Sequence, residues 1–238
     1  MKTTKITFLI ALLFIVSTID AQTYPTINPS MIVADEEQTE EPITSYSGSA
    51  PIAVSFYANT ENADGWTAHF EWHFYEEGQQ DNPYLVRYEE DTEYTFVQAG
   101  VHFIELYATF TRGNETIEYT QEYWSYTAPL SVSVSESRLE MPNAFSPNGD
   151  EWNEIYKAKD GYQSIVDFHG YIYNRRGELL YDWTNIEGGW DGTYKGKPVP
   201  QGVYFCLVKA HGADGRVFNI RRDVNLLRGY NESTETTE

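Results

Sequence analysis

Cysteine is almost missing from this 238-residue chain. Cys206 stands alone, so neither an intrachain disulfide nor a cysteine-cluster metal site can form. Cations are scarce too: 16 Lys and Arg face 36 Asp and Glu, a net charge of −20 with a pI near 4.5. A surface that negative repels phosphates and anionic lipid, which excludes nucleic acid and membrane surfaces as expected partners. No helix-period stretch runs longer than two turns, and the one long apolar run is too short to span a bilayer as a helix. The chain also lacks a Gly-x-Ser-x-Gly elbow, a phosphate loop and a His-Glu-x-x-His motif, so no catalytic residue is assigned and no enzyme is expected. Aromatics, in contrast, are plentiful. Nineteen Tyr, 12 Phe and 6 Trp, set among many Thr and Val, favour strands and a globular all-β chain.

The apolar run lies at the N-terminus. Lys2 and Lys5 precede Ile6 to Val16, which only Thr7 interrupts, and a more polar exit reaches Ala21. Residues 1–21 therefore read as a secretory signal peptide cleaved to leave Gln22, with no lipobox cysteine behind it. Residues 22–43 are Thr-, Pro- and Glu-rich without sustained periodicity and read as a linker. Charge then divides the remainder. Residues 22–138 hold 3 basic and 20 acidic residues, a net of −17, whereas residues 139–238 hold 11 and 15, a net of −4. Two units with different surfaces are expected.

The first unit, residues 44–136, alternates in short segments. PIAVSFYA is one strand and NADG a turn, and WTAHFEWHFYE puts Phe70, Trp72 and Phe74 on one face with His69, Glu71 and His73 on the other. Thr92 to Phe110 reads as two strands about a turn at Ala99-Gly100, and ETIEYTQEYW and LSVSVS supply two more. About seven such strands describe an immunoglobulin-like sandwich. The His69-x-Glu71-x-His73 trio has the chemistry of zinc ligands, but its strand's other face is the aromatic one, so the trio reads as exposed decoration. Cys206, in VYFCLVKA, reads as a small buried hydrophobe rather than a nucleophile.

GSAPIAVSFYA, HFEWHF, a Tyr-Thr-Phe strand and AGVHFIELYA together resemble a PKD-like domain. The second half resembles another family. PNAFSPNGDEWNE (Pro142 to Glu154), YIYNRRGELLYDW (Tyr171 to Trp183), GGWDGTYKGKPVPQGVYFCLVKA (Gly188 to Ala210) and VNLLR (Val224 to Arg228) are similar, in order and spacing, to the gliding-motility-associated C-terminal domain. That is the type B sorting domain of the type IX secretion system of Bacteroidota. The resemblance implies a sorting sandwich over 139–229 with a polar tail at 230–238. Its sorting-motif residues are Pro142, Asn143, Phe145, Pro147, Asn148, Gly149, Asp150, Asn174, Arg175, Gly177, Trp190, Asp191, Gly192, Gly202, Tyr204, Leu227 and Arg228. The implied partners are the type IX secretion machinery and outer-membrane anchoring proteins, and the implied destination is the outer-membrane surface or the medium. The chain departs from the family pattern at Glu151, Glu154 and Arg176 and continues ten residues past Arg228.

Read as chemistry, Asn148-Gly149-Asp150 is a tight turn whose Asx side chains can bond the backbone. Asn148, Asp150, Asn153 and Glu154 also offer oxygens spaced somewhat like a calcium loop, so Ca2+ is the one cofactor considered. Asn174 to Gly177 is a hairpin turn by composition, and Trp190 is expected to cover one open end of the second sandwich. Tyr119, Tyr123 and Trp124 are the aromatic candidates for a glycan- or protein-binding surface on the first unit. The expectation is an exported, all-β protein of two β-sandwich domains, the first an immunoglobulin-like cargo or spacer and the second an address label; the alternatives are a surface adhesin that binds glycan or protein through the first domain and a structural accessory of the secretion or gliding apparatus.

Overall fold

A computed structural model describes residues 23–34 and 41–229. The expected signal peptide, residues 1–21, and the tail, residues 230–238, lie outside the described residues. The N-terminal unit contains β1 (Ser30–Val33), β2 (Ser45–Gly48), β3 (Ile52–Tyr57), β4 (Thr67–Glu76), β5 (Leu85–Arg87), β6 (Thr92–Phe96), β7 (Gly100–Arg112) and β8 (Glu115–Tyr119). A single helical turn, α1 (Gln121–Trp124), and β9 (Leu130–Val134) complete it. A three-stranded sheet, β1-β3-β6, faces a larger sheet ordered β2-β9-β7-β4-β5, in which β8 also pairs with β7.

Alternation dictates which side chains meet between the sheets. Ile52, Val54 and Phe56 of β3 point inward, as do Phe70, Trp72 and Phe74 of β4 and Leu130, Val132 and Val134 of β9. Phe56 packs edge-on to Phe74 at 5.4 Å, and the fully buried Trp72 donates its indole N–H to the Glu90 carbonyl at 3.0 Å. Each such side chain contributes about 1.5–3 kcal/mol through burial.

Two expectations are corrected here. Residues 22–43 are not only a linker: β1 pairs antiparallel with β3, and Ile27, Met31 and Val33 enter the core. The polar spacing of this segment hides three inward apolar side chains. In ETIEYTQEYW only the first half is a strand, because the chain leaves the sheet at Thr120 and turns through α1 to bury Trp124.

The C-terminal unit contains β10 (Ala144–Phe145), β11 (Ile165–Tyr173), β12 (Leu179–Trp183), β13 (Thr193–Tyr194), β14 (Lys197–Pro198), β15 (Gly202–Gly212) and β16 (Val217–Leu226). Five strands form one sheet, β10-β16-β15-β11-β12, and β13 and β14 form a separate ribbon. The sheet's inner face carries Phe168, Ile172, Trp183, Tyr204, Cys206, Val208 and Val224. Its second layer is built from irregular chain: Leu139, Met141, Tyr156, Ala158 and Trp190 close over that face. The whole described chain is almost entirely β.

The units meet at a welded junction. The β15–β16 turn pushes Ala213 into the N-terminal core, and the Ala99 N–H donates to the Ala213 carbonyl at 3.0 Å. The nearly fully buried Ser164 accepts from the Ala50 N–H at 3.1 Å and shares a 2.8 Å hydrogen bond with the Ser135 hydroxyl. Ser137 donates its hydroxyl to Asp214 at 2.6 Å.

Candidate functional site

The four motifs of the second half are far apart in sequence but converge at one end of its sheet. β10, from the first motif, pairs in parallel with the end of β16, matching Ala144 with Asn225 and Phe145 with Leu226. The Asn143 carbonyl accepts from the Asn225 N–H at 2.9 Å, and the Phe145 carbonyl from the Leu227 N–H at 3.0 Å. Tyr156 and Trp190 then exchange backbone hydrogen bonds of 2.9 and 3.0 Å, which ties the third motif to the chain just after the first. Trp190 is fully buried, donates its indole N–H to the Thr193 carbonyl at 2.7 Å, and packs against Phe145 at 5.3 Å and Tyr204 at 5.1 Å. It closes that end of the core.

Arg228 completes the knot. Its guanidinium donates to three carbonyls: Val199 at 3.2 Å, Pro147 at 3.0 Å and Gly192 at 2.7 Å. Gly192 adopts a φ of 77°, and a Cβ there would come within 3.1 Å of Arg228, Leu226 and Pro147 together. Glycine is needed for conformation and for room. Asp191 accepts from the Thr193 N–H and hydroxyl at 2.9 and 2.8 Å, which shapes the turn after Trp190.

The Asn174 turn stands apart from the knot. The Asn174 side-chain oxygen accepts from the Arg176 and Glu178 N–H groups at 2.9 and 3.1 Å, and its amide donates to the Glu178 carboxylate at 2.9 Å. Gly177 takes a φ of 79°, and Arg175 and Arg176 project from the tip. Gly202, at the start of β15, lies beside Arg175.

In the Asn148 loop the oxygens serve the loop's own backbone. Asn148 accepts from the Asp150 N–H at 3.0 Å, and Asp150 accepts from the Trp152 N–H at 3.0 Å and the Asn148 amide at 2.9 Å. Glu154 accepts from the Gly149 and Asp150 N–H groups at 2.7 and 2.9 Å. Asn153 takes a φ of 51° and offers its carbonyl to the Ser146 N–H at 2.9 Å. These bonds account for the loop's shape. Among the described residues no group of three His, Cys, Asp or Glu is placed to hold a metal ion.

In the N-terminal unit, His69, Glu71 and His73 do line the outer face of β4. Glu71 lies between the two imidazoles, at 3.1 Å from His69 and 3.0 Å from His73, and the His73 contact holds its carboxyl below the usual range. His102 is on the opposite, core side, bonded to Tyr84 and the Gln98 carbonyl. The binding-surface aromatics are a correction. Trp124 is buried with its N–H on the Leu106 carbonyl, Tyr119 donates to the Pro25 carbonyl, and Tyr123 packs against both. α1 folds Trp124 into the first core, and Tyr119 and Tyr123, partly buried, pack against that core. Cys206 is buried as expected, and burial pushes its thiol up to about 11.

Tyr156 was not legible as a site residue. It is fully buried and donates its hydroxyl to the Pro142 carbonyl at 2.9 Å, but it stands in irregular chain where no periodicity marks it.

Residues 139–219 match the CHU_C Type IX secretion signal domain. The match links the chain to type IX secretion and hence to export to the cell surface or the medium. It ends inside β16, yet Val224, Leu226 and Arg228 beyond it complete the same core and knot. No curated protein matches the chain. Solved structures similar to it include dimeric latent PorU from Porphyromonas gingivalis, 13% identical with a TM-score of 0.26 over 87% of this chain, and the extracellular cadherin domains 3–6 of protocadherin gamma B2, 10% identical with a TM-score of 0.23 over 86%. The chain spans 20% of the PorU chain's length and 51% of the protocadherin's. Among the described residues no helix is long and apolar enough to cross a membrane.

Proposed function

We propose that the C-terminal unit is the address label of a non-enzymatic surface or secreted protein, and that the N-terminal unit, a PKD-like sandwich, is its cargo or spacer. The observation that carries this reading is the secretion-domain match over residues 139–219 together with the knot that joins its motifs through Arg228. A knot that joins the first, third and fourth motif segments forms only when the chain between them has folded, so the machinery would meet a folded label. The groups that could have served chemistry are engaged elsewhere: Cys206 is buried with a raised thiol, and Glu71 bridges its two histidines. The route is a Sec-type leader at residues 1–21, then recognition of residues 139–229 by the type IX machinery.

The test is a fusion of a signal peptide and a fluorescent protein to residues 139–238. It should reach the surface only in cells with a working type IX system. Equal delivery in cells lacking that system would overturn the reading.

A further inference from the structure

Four of the cations in the described residues are answered by a neighbouring carboxylate. Arg112 pairs with Glu115, Lys159 and Arg138 with Glu140, and Arg216 with Asp214. Arg175 and Arg176 are not. They stand exposed at the tip of the β11–β12 turn, and among the described residues neither forms an ion pair. The nearest carboxylate in sequence, Glu178, is taken by the Asn174 amide and by the Tyr194 hydroxyl, both at 2.9 Å.

These arginines border a cleft of about 340 Å³ whose other wall is Pro200 to Tyr204. Gly202 keeps that wall bare: a Cβ there would find only the Arg175 guanidinium, 4.0 Å away. Next to this cleft a larger one, about 800 Å³, lies on the outer face of the sheet and includes Tyr173, Phe205, Leu207 and Arg221. The two are continuous by register, since Tyr173 faces Phe205 and adjoins Asn174, and Leu207 faces Arg221. Phe205 is 42% exposed, although its strand neighbours Tyr204 and Cys206 are buried on the inner face. The result is a trough whose floor holds Tyr173, Phe205 and Leu207 together with one carboxylate, Asp223 opposite Phe205, and that has an arginine at each end, on a chain whose net charge is −20.

We propose that this trough docks an extended, acidic protein segment with an apolar residue between its carboxylates. Guanidinium groups match carboxylates with paired, charge-assisted hydrogen bonds, and unpartnered arginines carry no competing bond to break. The aromatic floor supplies the apolar contact that favours a peptide over a free anion. The biological setting, recognition during type IX secretion, rests on the reading above; the trough's chemistry does not.

The test titrates the peptide acetyl-EEFEEFEE-amide into the purified, isotope-labelled mature chain and follows amide and arginine side-chain NMR signals. Shifts should centre on Arg175, Arg176, Gly202 and Phe205, and R175E/R176E should weaken binding at least tenfold with an unchanged melting temperature. The same variant should gain affinity for acetyl-KKFKKFKK-amide. Unchanged affinity in the variant, shifts centred elsewhere, or no binding to the unmodified chain would overturn the proposal. In cells with the type IX system, R175E/R176E should accumulate in the periplasm. Normal secretion of a variant that no longer binds the peptide would overturn docking and leave the sorting assignment intact. Surface delivery of the unmodified chain without the machinery would overturn the sorting assignment, and the peptide titration would still decide the trough.

Discussion

Arg228 donates to three carbonyls of irregular chain, of which the Gly192 carbonyl also accepts from the Val199 N–H at 3.0 Å. Arg228→Ala would leave those acceptors short of donors, and about 2–4 kcal/mol of destabilisation is expected in the unfolding of the C-terminal unit, read by urea titration. In the N-terminal unit Trp72 is fully buried, so Trp72→Ala should cost about 3–5 kcal/mol, whereas His69→Ala, at the exposed end of the trio, should change stability by less than about 0.5 kcal/mol. Equal losses at the two positions would mean the histidine has a structural role its exposure does not suggest. Cys206 offers a further check. With its thiol pushed up to about 11 by burial, it should resist a thiol reagent at pH 8 until the chain unfolds. Rapid labelling of the native protein would contradict its placement.

At the scale of elements, the β15–β16 turn has two tasks. It closes a hairpin, and through Ala213 and Asp214 it seals the C-terminal unit against the N-terminal one. The Ser137 hydroxyl, donating to Asp214, holds that carboxyl down at about 2, helped by the Arg216 and Ser137 N–H groups and by the Arg216 charge 3.6 Å away. A carboxyl lowered by folding stabilises the native state fully above the ordinary aspartate value, about pH 4, and loses that contribution as pH falls through about 2. The junction should therefore loosen between about pH 4 and pH 2. Asp214→Asn should flatten the melting temperature across that window, and a variant as acid-sensitive as the unmodified chain would count against the junction's role.

For the whole molecule, the order of the chain matters because the last strand is structural. β16 lies between β15 and β10, so deleting Gly202 to Glu238 removes two of the five strands and leaves the inner face of β11 open. A fusion cut in this way should remain periplasmic or be degraded, as followed by cell fractionation. Deleting only Gly229 to Glu238 spares Arg228 and its three bonds, and secretion should continue. Loss of secretion on the shorter deletion would give the tail a part of its own.

Composition and two-residue alternation were enough to determine an all-β chain, the inward face of β4 and the burial of Cys206, because each depends only on which neighbours in sequence share a face. A change in charge near residue 139 was the ground for expecting two units, and a resemblance was the ground for expecting the motif residues. Tertiary structure decided the rest. β1 looked like linker because its apolar side chains are few, and it became a strand only through β3. Tyr119, Tyr123 and Trp124 looked like a surface because nothing local reveals that the chain packs them against the first core, with α1 burying Trp124. Tyr156, the three acceptors of Arg228 and the trough between Arg175 and Arg221 join residues tens of positions apart. No period or spacing carries that information, since long-range pairing alone brings those atoms within reach of one another.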